Sequence, residues 1–119
     1  MAEIMPGGQV RYTTTITDSA SSLNGRSVSV SYTDGFPDFS PFMSHPSGVK
    51  SVTIEMTGKN RVDFRRANEA AGHPEWGNRP PPGWTWHHKQ NGTEMELIPS
   101  TINATFSHIG GAALVRKEK

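Results

Sequence analysis

The chain has 119 residues, enough for one domain with a single modest core, and its zero cysteines exclude a disulfide framework and any thiolate metal site. A formal net charge of +1 is too small to mark a nucleic-acid binder by electrostatics alone, although Lys50, Lys59, Arg61, Arg65 and Arg66 gather positive charge in mid-chain. No apolar run approaches the roughly 18 residues of a membrane span, and the start Met-Ala-Glu-Ile-Met-Pro-Gly-Gly has neither the basic nor the apolar region of a signal peptide.

With 33% hydrophobic residues, 12 Gly and 9 Pro, the composition points to a loop-rich α+β domain built on a small antiparallel sheet. Gln9 to Thr17 and Arg26 to Thr33 predict two strands, the second with Val28, Val30 and Tyr32 on one face, joined through Ser-Leu-Asn-Gly. From Asp34 to Gly48 the prolines, phenylalanines and glycines predict an ordered loop without regular structure. Val49 to Met56 predicts a third strand, with Val52, Ile54 and Met56 in phase and Thr57-Gly58-Lys59-Asn60 ending it. A helix follows from about Val62 to Ala71, with Phe64, Ala67 and Ala71 on one face and Gly72 as its stop. His73 to Gly83 is a stiff connector rich in proline.

The last third is more specific. Trp84 to His88 predicts a strand, Lys89-Gln90-Asn91-Gly92 a turn, Thr93 to Ile98 a returning strand, and Ser100 or Thr101 the cap of a helix running to about His108, stopped by Gly110-Gly111. Two adjacent histidines, His87 and His88, close the first strand. Burying two imidazoles side by side demands partners for four ring nitrogens, so the pair marks a candidate active site. Trp84 and Trp86 are expected to pack the hairpin, and His45 and His73, each beside a proline, are read as loop residues outside the site. Alternation of Glu94 and Glu96 with Met95 and Leu97 predicts a solvent face for both carboxylates, with a place beside a metal as the lesser alternative.

The string Trp86-His87-His88, then Met95-Glu96-Leu97-Ile98-Pro99, then Asn103, His108 and Gly110-Gly111 resembles the toxin nucleases of the HNH/endonuclease VII superfamily that carry a conserved Trp-His-His. Gly35-Phe36-Pro37-Asp38-Phe39 and Asp63-Phe64-Arg65-Arg66-Ala67-Asn68 resemble the segments preceding the metal finger there, so the likeness runs from about Gly35 to Gly111. It implies a single nuclease domain with a ββα-metal (His-Me) finger over residues 83–111, residues 35–82 as its support and residues 1–34 as added strands. It also implies a divalent cation that neutralises charge on the scissile phosphate while a histidine takes a proton from water. By position in the motif, His88 is the general base and His87, Asn103 and His108 are the metal ligands; neighbours on a regular strand face opposite ways, so this needs the strand to end or twist there, and the reverse assignment of the two stays open.

Where the family pattern has a histidine, this chain has Asn103. Asparagine as an oxygen ligand favours a hard ion, Mg²⁺ or Mn²⁺, over Zn²⁺ or Ni²⁺; alternatively it replaces a ligand and leaves a module that folds and binds but cuts poorly. Lys59, Arg61, Arg65 and Arg66 are candidate phosphate contacts that would position nucleic acid without reading its sequence. Asp63 and Asn68 stay open between capping and supporting roles. The resemblance implies a non-specific endonuclease acting on DNA, with an RNase of the same fold as an alternative, the C-terminal toxin of a larger antibacterial effector delivered into a target cell, with a cognate immunity protein and no membrane as partners.

Overall fold

The alternation predicted around Val28, Val30 and Tyr32 is the organising feature of the N-terminal sheet. The computed structural model describes residues 2–4, 9–33, 36–89 and 91–107. They fall into two compact units, Met1–Ser40 with Thr101–Lys119, and Pro41–Ser100.

In the first unit, strands β1 (Ala2–Ile4), β2 (Val10–Thr15), β3 (Ser27–Thr33) and β4 (Phe36–Asp38) form an antiparallel sheet in that order. The register Val10↔Tyr32, Tyr12↔Val30, Thr14↔Val28 puts the apolar positions of β2 and β3 on one face, where Val30 and Tyr32 are buried. Helix α2 (Ser100–Ser107) contributes Ile102 and Phe106, four residues apart and both buried. The Phe106 ring meets Tyr12 edge-on with centroids 6.4 Å apart, and the Tyr32 hydroxyl lies 3.5 Å from the Phe106 carbonyl. Burial of Tyr32, with Tyr12 a lesser cause, pushes its phenol up to about 12.

In the second unit, β5 (Ser51–Thr53), β6 (Trp84–His88) and β7 (Glu94–Pro99) form an antiparallel sheet in the order β5-β7-β6. Helix α1 (Asn60–Ala70) supplies Ala67 to a core completed by Ile54, Trp86, Met95 and Leu97, with Phe64 and Ala71 packed against it. The central position of β7 explains its unbroken burial from Met95 to Ile98. Gly72 follows α1 at φ +83°, the left-handed conformation that ends a helix where a side chain would be strained.

The fold is α+β, as the sequence indicates, with four local departures. β1 is too short for a periodicity signal. The 34–48 segment is not wholly irregular: β4 pairs with β3 at the sheet edge, where Pro37 opposite Tyr32 is tolerated, and Ser40–Phe42 forms a 3₁₀ turn. The third strand shrinks to Ser51–Thr53, although Ile54 N–H still donates to the Thr93 carbonyl and Leu97 N–H to that of Lys50. α1 begins at Asn60, two residues before its expected start. Among the described residues no helix is long and apolar enough to cross a membrane.

Candidate active site

The β6–β7 hairpin is closed at its turn by one side chain. Asn91 Oδ1 accepts the N–H groups of Thr93 and Glu94, both at 3.0 Å, and its amide donates to Glu94 Oε1 at 2.8 Å. The register then runs without interruption from Trp84↔Pro99 to His88↔Met95. β6 is regular through His87 and ends at His88, so the strand ends at the histidine pair without a twist between the two. Trp86 and His88 share one face, and His87 lies on the other.

Each histidine meets its own carboxylate. On the first face, His88 Nε2 lies 3.0 Å from Asp63 Oδ2; Asp63 sits on α1 and is fully buried. The same carboxylate accepts the N–H of Thr57 (2.9 Å), its hydroxyl (2.9 Å) and the N–H of Gly58 (3.0 Å). Desolvation alone would raise this acid, but the hydrogen bonds from Thr57, His88 and Gly58 outweigh it and bring it down to about 2. Phe64, the next helical residue, sets its ring 6.2 Å from that of His88.

One turn and a half along α1, Asn68 repeats the arrangement on Trp86. Its Oδ1 accepts the Trp86 indole N–H at 2.7 Å, and its amide donates to the carbonyls of Gly77 (2.9 Å) and Arg79 (2.7 Å). Five residues of helix rise about 7.5 Å and two residues of strand about 6.6 Å. Asp63 and Asn68 therefore match the repeat of His88 and Trp86, and α1 grips alternate residues of the Trp-His-His strand.

On the opposite face, His87 Nδ1 lies 3.2 Å from Glu96 Oε1, its cross-strand partner. Glu96 is 4% exposed, so the solvent-facing position expected for it is corrected: β7 is the middle strand, and cross-strand pairing with His87 holds the carboxylate inside. Glu94 keeps an intermediate exposure.

The donor chemistry suits a cation at His87 and not at Asp63. A carboxylate on Nδ1 orients an imidazole that ligates through Nε2, the arrangement that tunes histidine ligands in metal sites. Both Asp63 oxygens are already committed to four donors, and a cation there would displace them. Among the described residues no three His, Asp or Glu side chains form a ready ligand set. Asn103 sits half-buried on α2, within the first unit, and His108 and Gly110-Gly111 lie outside the described residues.

The four basic candidates cluster on and just before α1. Lys59 and Arg61 are exposed and, among the described residues, have no carboxylate partner; Arg65 lies 3.9 Å from Glu69 on the solvent side. Arg66 donates to the Glu55 carbonyl at 2.6 Å. His45 and His73 pack with tryptophans: His73 stacks on Trp76 at 4.1 Å, and His45 meets Trp84 edge-on at 4.9 Å. An open cleft lined by Thr14, Thr15, Thr17 and Thr101 belongs to the first unit; its one carboxylate, Asp18, accepts the Thr101 hydroxyl at 2.9 Å. Among the described residues its lining holds no imidazole.

Asp63 and Glu96 are the residues whose part the sequence leaves unassigned. For Asp63 the sequence carries no signal of the pairing, because residues five apart stand about 140° apart around a helix and mark no shared face. For Glu96 the signal was hidden by an alternation that reads as solvent exposure.

The α+β fold thus carries a hairpin strand that ends in two histidines, each beside a buried carboxylate. Residues 77–118, about a third of the chain, match the model of the WHH family, described as a nuclease of the HNH/ENDO VII superfamily with conserved WHH. The resemblance read from Trp86-His87-His88 is thereby borne out, and the match supports a nuclease of this type. It begins downstream of Gly35–Phe39 and of Asp63–Asn68. No curated protein and no solved structure matches the chain.

Proposed function

We propose that the chain is a metal-dependent endonuclease, acting without sequence specificity on DNA, and the toxin part of a larger antibacterial effector that a cognate immunity protein neutralises. The observation that carries the chemistry is the division of the histidine pair, His88 held by Asp63 and His87 by Glu96. Separate carboxylates suit separate tasks: His88 as general base, His87 as a metal ligand joined by Asn103 and His108.

A bound divalent cation would supply charge neutralisation at the phosphate. The chain's own residues do the rest. His88 takes a proton from water, and the resulting imidazolium faces the Asp63 carboxylate. The water oxygen bonds to phosphorus as the bond from phosphorus to the sugar oxygen breaks, and that oxygen takes a proton from solvent. Lys59 and Arg61, exposed beside the first turn of α1, are placed to contact phosphates without reading bases. Delivery into the cytoplasm of a competing bacterium and recognition by an acidic immunity protein follow from the toxin reading and the basic mid-chain segment.

Plasmid cleavage by the purified chain with Mg²⁺, Mn²⁺ or EDTA, beside His87→Ala and His88→Ala, tests this. Metal-dependent nicking is expected, abolished by His88→Ala at unchanged metal affinity, with His87→Ala weakening metal binding itself. Cleavage that persists in His88→Ala at the wild-type rate would sink the assignment. A second reading rests on Asn103: a module that binds nucleic acid or an immunity protein but does not cut. It predicts a silent native chain in which Asn103→His restores cleavage. Parallel assays on RNA decide the sugar.

A further inference from the structure

We infer that Asp63 is a positioning residue that fixes which nitrogen of His88 receives the proton. The inference rests on the nuclease reading above and adds to it a residue upstream of the matched family segment. Geometry carries it. Asp63 has two oxygens and four donors on them: Thr57 N–H and Oγ–H on Oδ1, Gly58 N–H and His88 on Oδ2. A carboxyl group so occupied by N–H and O–H donors acts as an acceptor only. The bond to His88 therefore runs from the ring to the carboxylate, with the proton on Nε2. In the neutral imidazole the lone pair then lies on Nδ1, and Nδ1 is the atom that accepts a proton from water.

The carboxylate is itself held in place. Lys59 N–H donates to Thr57 Oγ1 at 3.1 Å, and that hydroxyl donates to Asp63, so the turn before α1, the helix and the end of β6 form one connected set of hydrogen bonds. Phe64 packs near the His88 ring from the same helical turn. Rotation of the ring about its last side-chain bond would break the contact with Asp63 and present the wrong nitrogen. A carboxylate in this relation to a base controls tautomer and orientation without touching substrate, and its loss lowers the rate of the chemical step and not substrate affinity.

The test uses the full chain labelled with ¹⁵N, read by long-range ¹H–¹⁵N correlation of the imidazoles, beside single-turnover plasmid cleavage and DNA binding. The wild type is expected to show neutral His88 protonated on Nε2, and Asp63→Asn to show a mixture of tautomers. Cleavage by Asp63→Asn should fall by roughly 10³-fold, with the DNA dissociation constant held within roughly twofold. Equal cleavage rates for Asp63→Asn and wild type would overturn the inference and leave the nuclease standing. A wild-type chain that does not cut would strike the nuclease reading, while the tautomer spectrum, which needs no activity, still judges the clamp. If Asp63→Asn fails to fold, the wild-type spectrum decides alone, because a proton on Nδ1 of His88 contradicts the proposal.

Discussion

Asn68 is the position where removal of a few atoms should do most damage to the Trp-His-His strand. Asn68→Ala deletes three hydrogen bonds at once, to the Trp86 indole and to the carbonyls of Gly77 and Arg79. The three do not weigh equally. Gly77 and Arg79 are exposed, so water can replace the lost donor at their carbonyls for a few tenths of a kcal/mol each. Trp86 is 2% exposed, and its indole N–H would be left buried without an acceptor, at a cost of about 1–3 kcal/mol. Adding the packing lost around a fully buried side chain, the total comes to about 3 kcal/mol. At a urea m-value of about 2 kcal/mol/M this lowers the unfolding midpoint by about 1.5 M. Trp76, Trp84 and Trp86 all lie in the second unit, so tryptophan fluorescence reports its unfolding directly. A cycle with Trp86→Phe isolates the bond, because in that background no indole donor is stranded; Asn68→Ala should then cost about 1–2 kcal/mol less. A loss below about 1 kcal/mol, or full additivity in the cycle, would refute the claim that Asn68 holds this strand.

Three further outcomes follow from the same geometry. Asp63 has its acid lowered in the folded state, so the stability it contributes is fully present above about pH 4 and is lost as pH falls towards 2; in urea titrations at stepped pH, Asp63→Asn should flatten that acid slope by on the order of 2 kcal/mol. Glu96→Gln should weaken Mn²⁺ binding by roughly tenfold in calorimetry through loosened orientation of His87, and unchanged binding would detach Glu96 from any metal role. Gly72→Ala, at φ +83° just past α1, should cost about 1 kcal/mol and lower the melting temperature by several degrees.

How much of this was legible in the sequence depended on the range of each interaction. β6, the Asn91-Gly92 turn, β7 and the start of α2 follow from local pattern, because hairpin chemistry and helix capping act between near neighbours. The same holds for β2 and β3, whose alternation is long enough to be read. β1 and β4, three residues each, carry too little periodicity and exist because a longer strand is there to pair with. In the site, the histidines were visible from their adjacency, but their partners lie 25 residues back on a helix and nine residues on across a hairpin. Glu96 shows why alternation misleads here: it assigns a residue to one face of a strand, and only the order β5-β7-β6 places that strand in the middle of the sheet.

The spacing argument between α1 and β6 joins these scales. A helix advances about 1.5 Å per residue and a strand about 3.3 Å, so residues five apart on one can meet residues two apart on the other. Asp63 with Asn68, and His88 with Trp86, satisfy that condition through polar contacts of 3.0 Å and 2.7 Å. Two directional bonds at such a separation fix the helix against the strand in translation, where apolar contacts from Phe64 and Ala67 would tolerate sliding. A shift of one residue on β6 that brought His87 to Asp63 would set Trp86 opposite Glu96 and carry His88 toward Glu94. The tryptophan of the Trp-His-His string therefore has a task distinct from filling the core: through Asn68 it sets the register that brings the second histidine, and not the first, to Asp63.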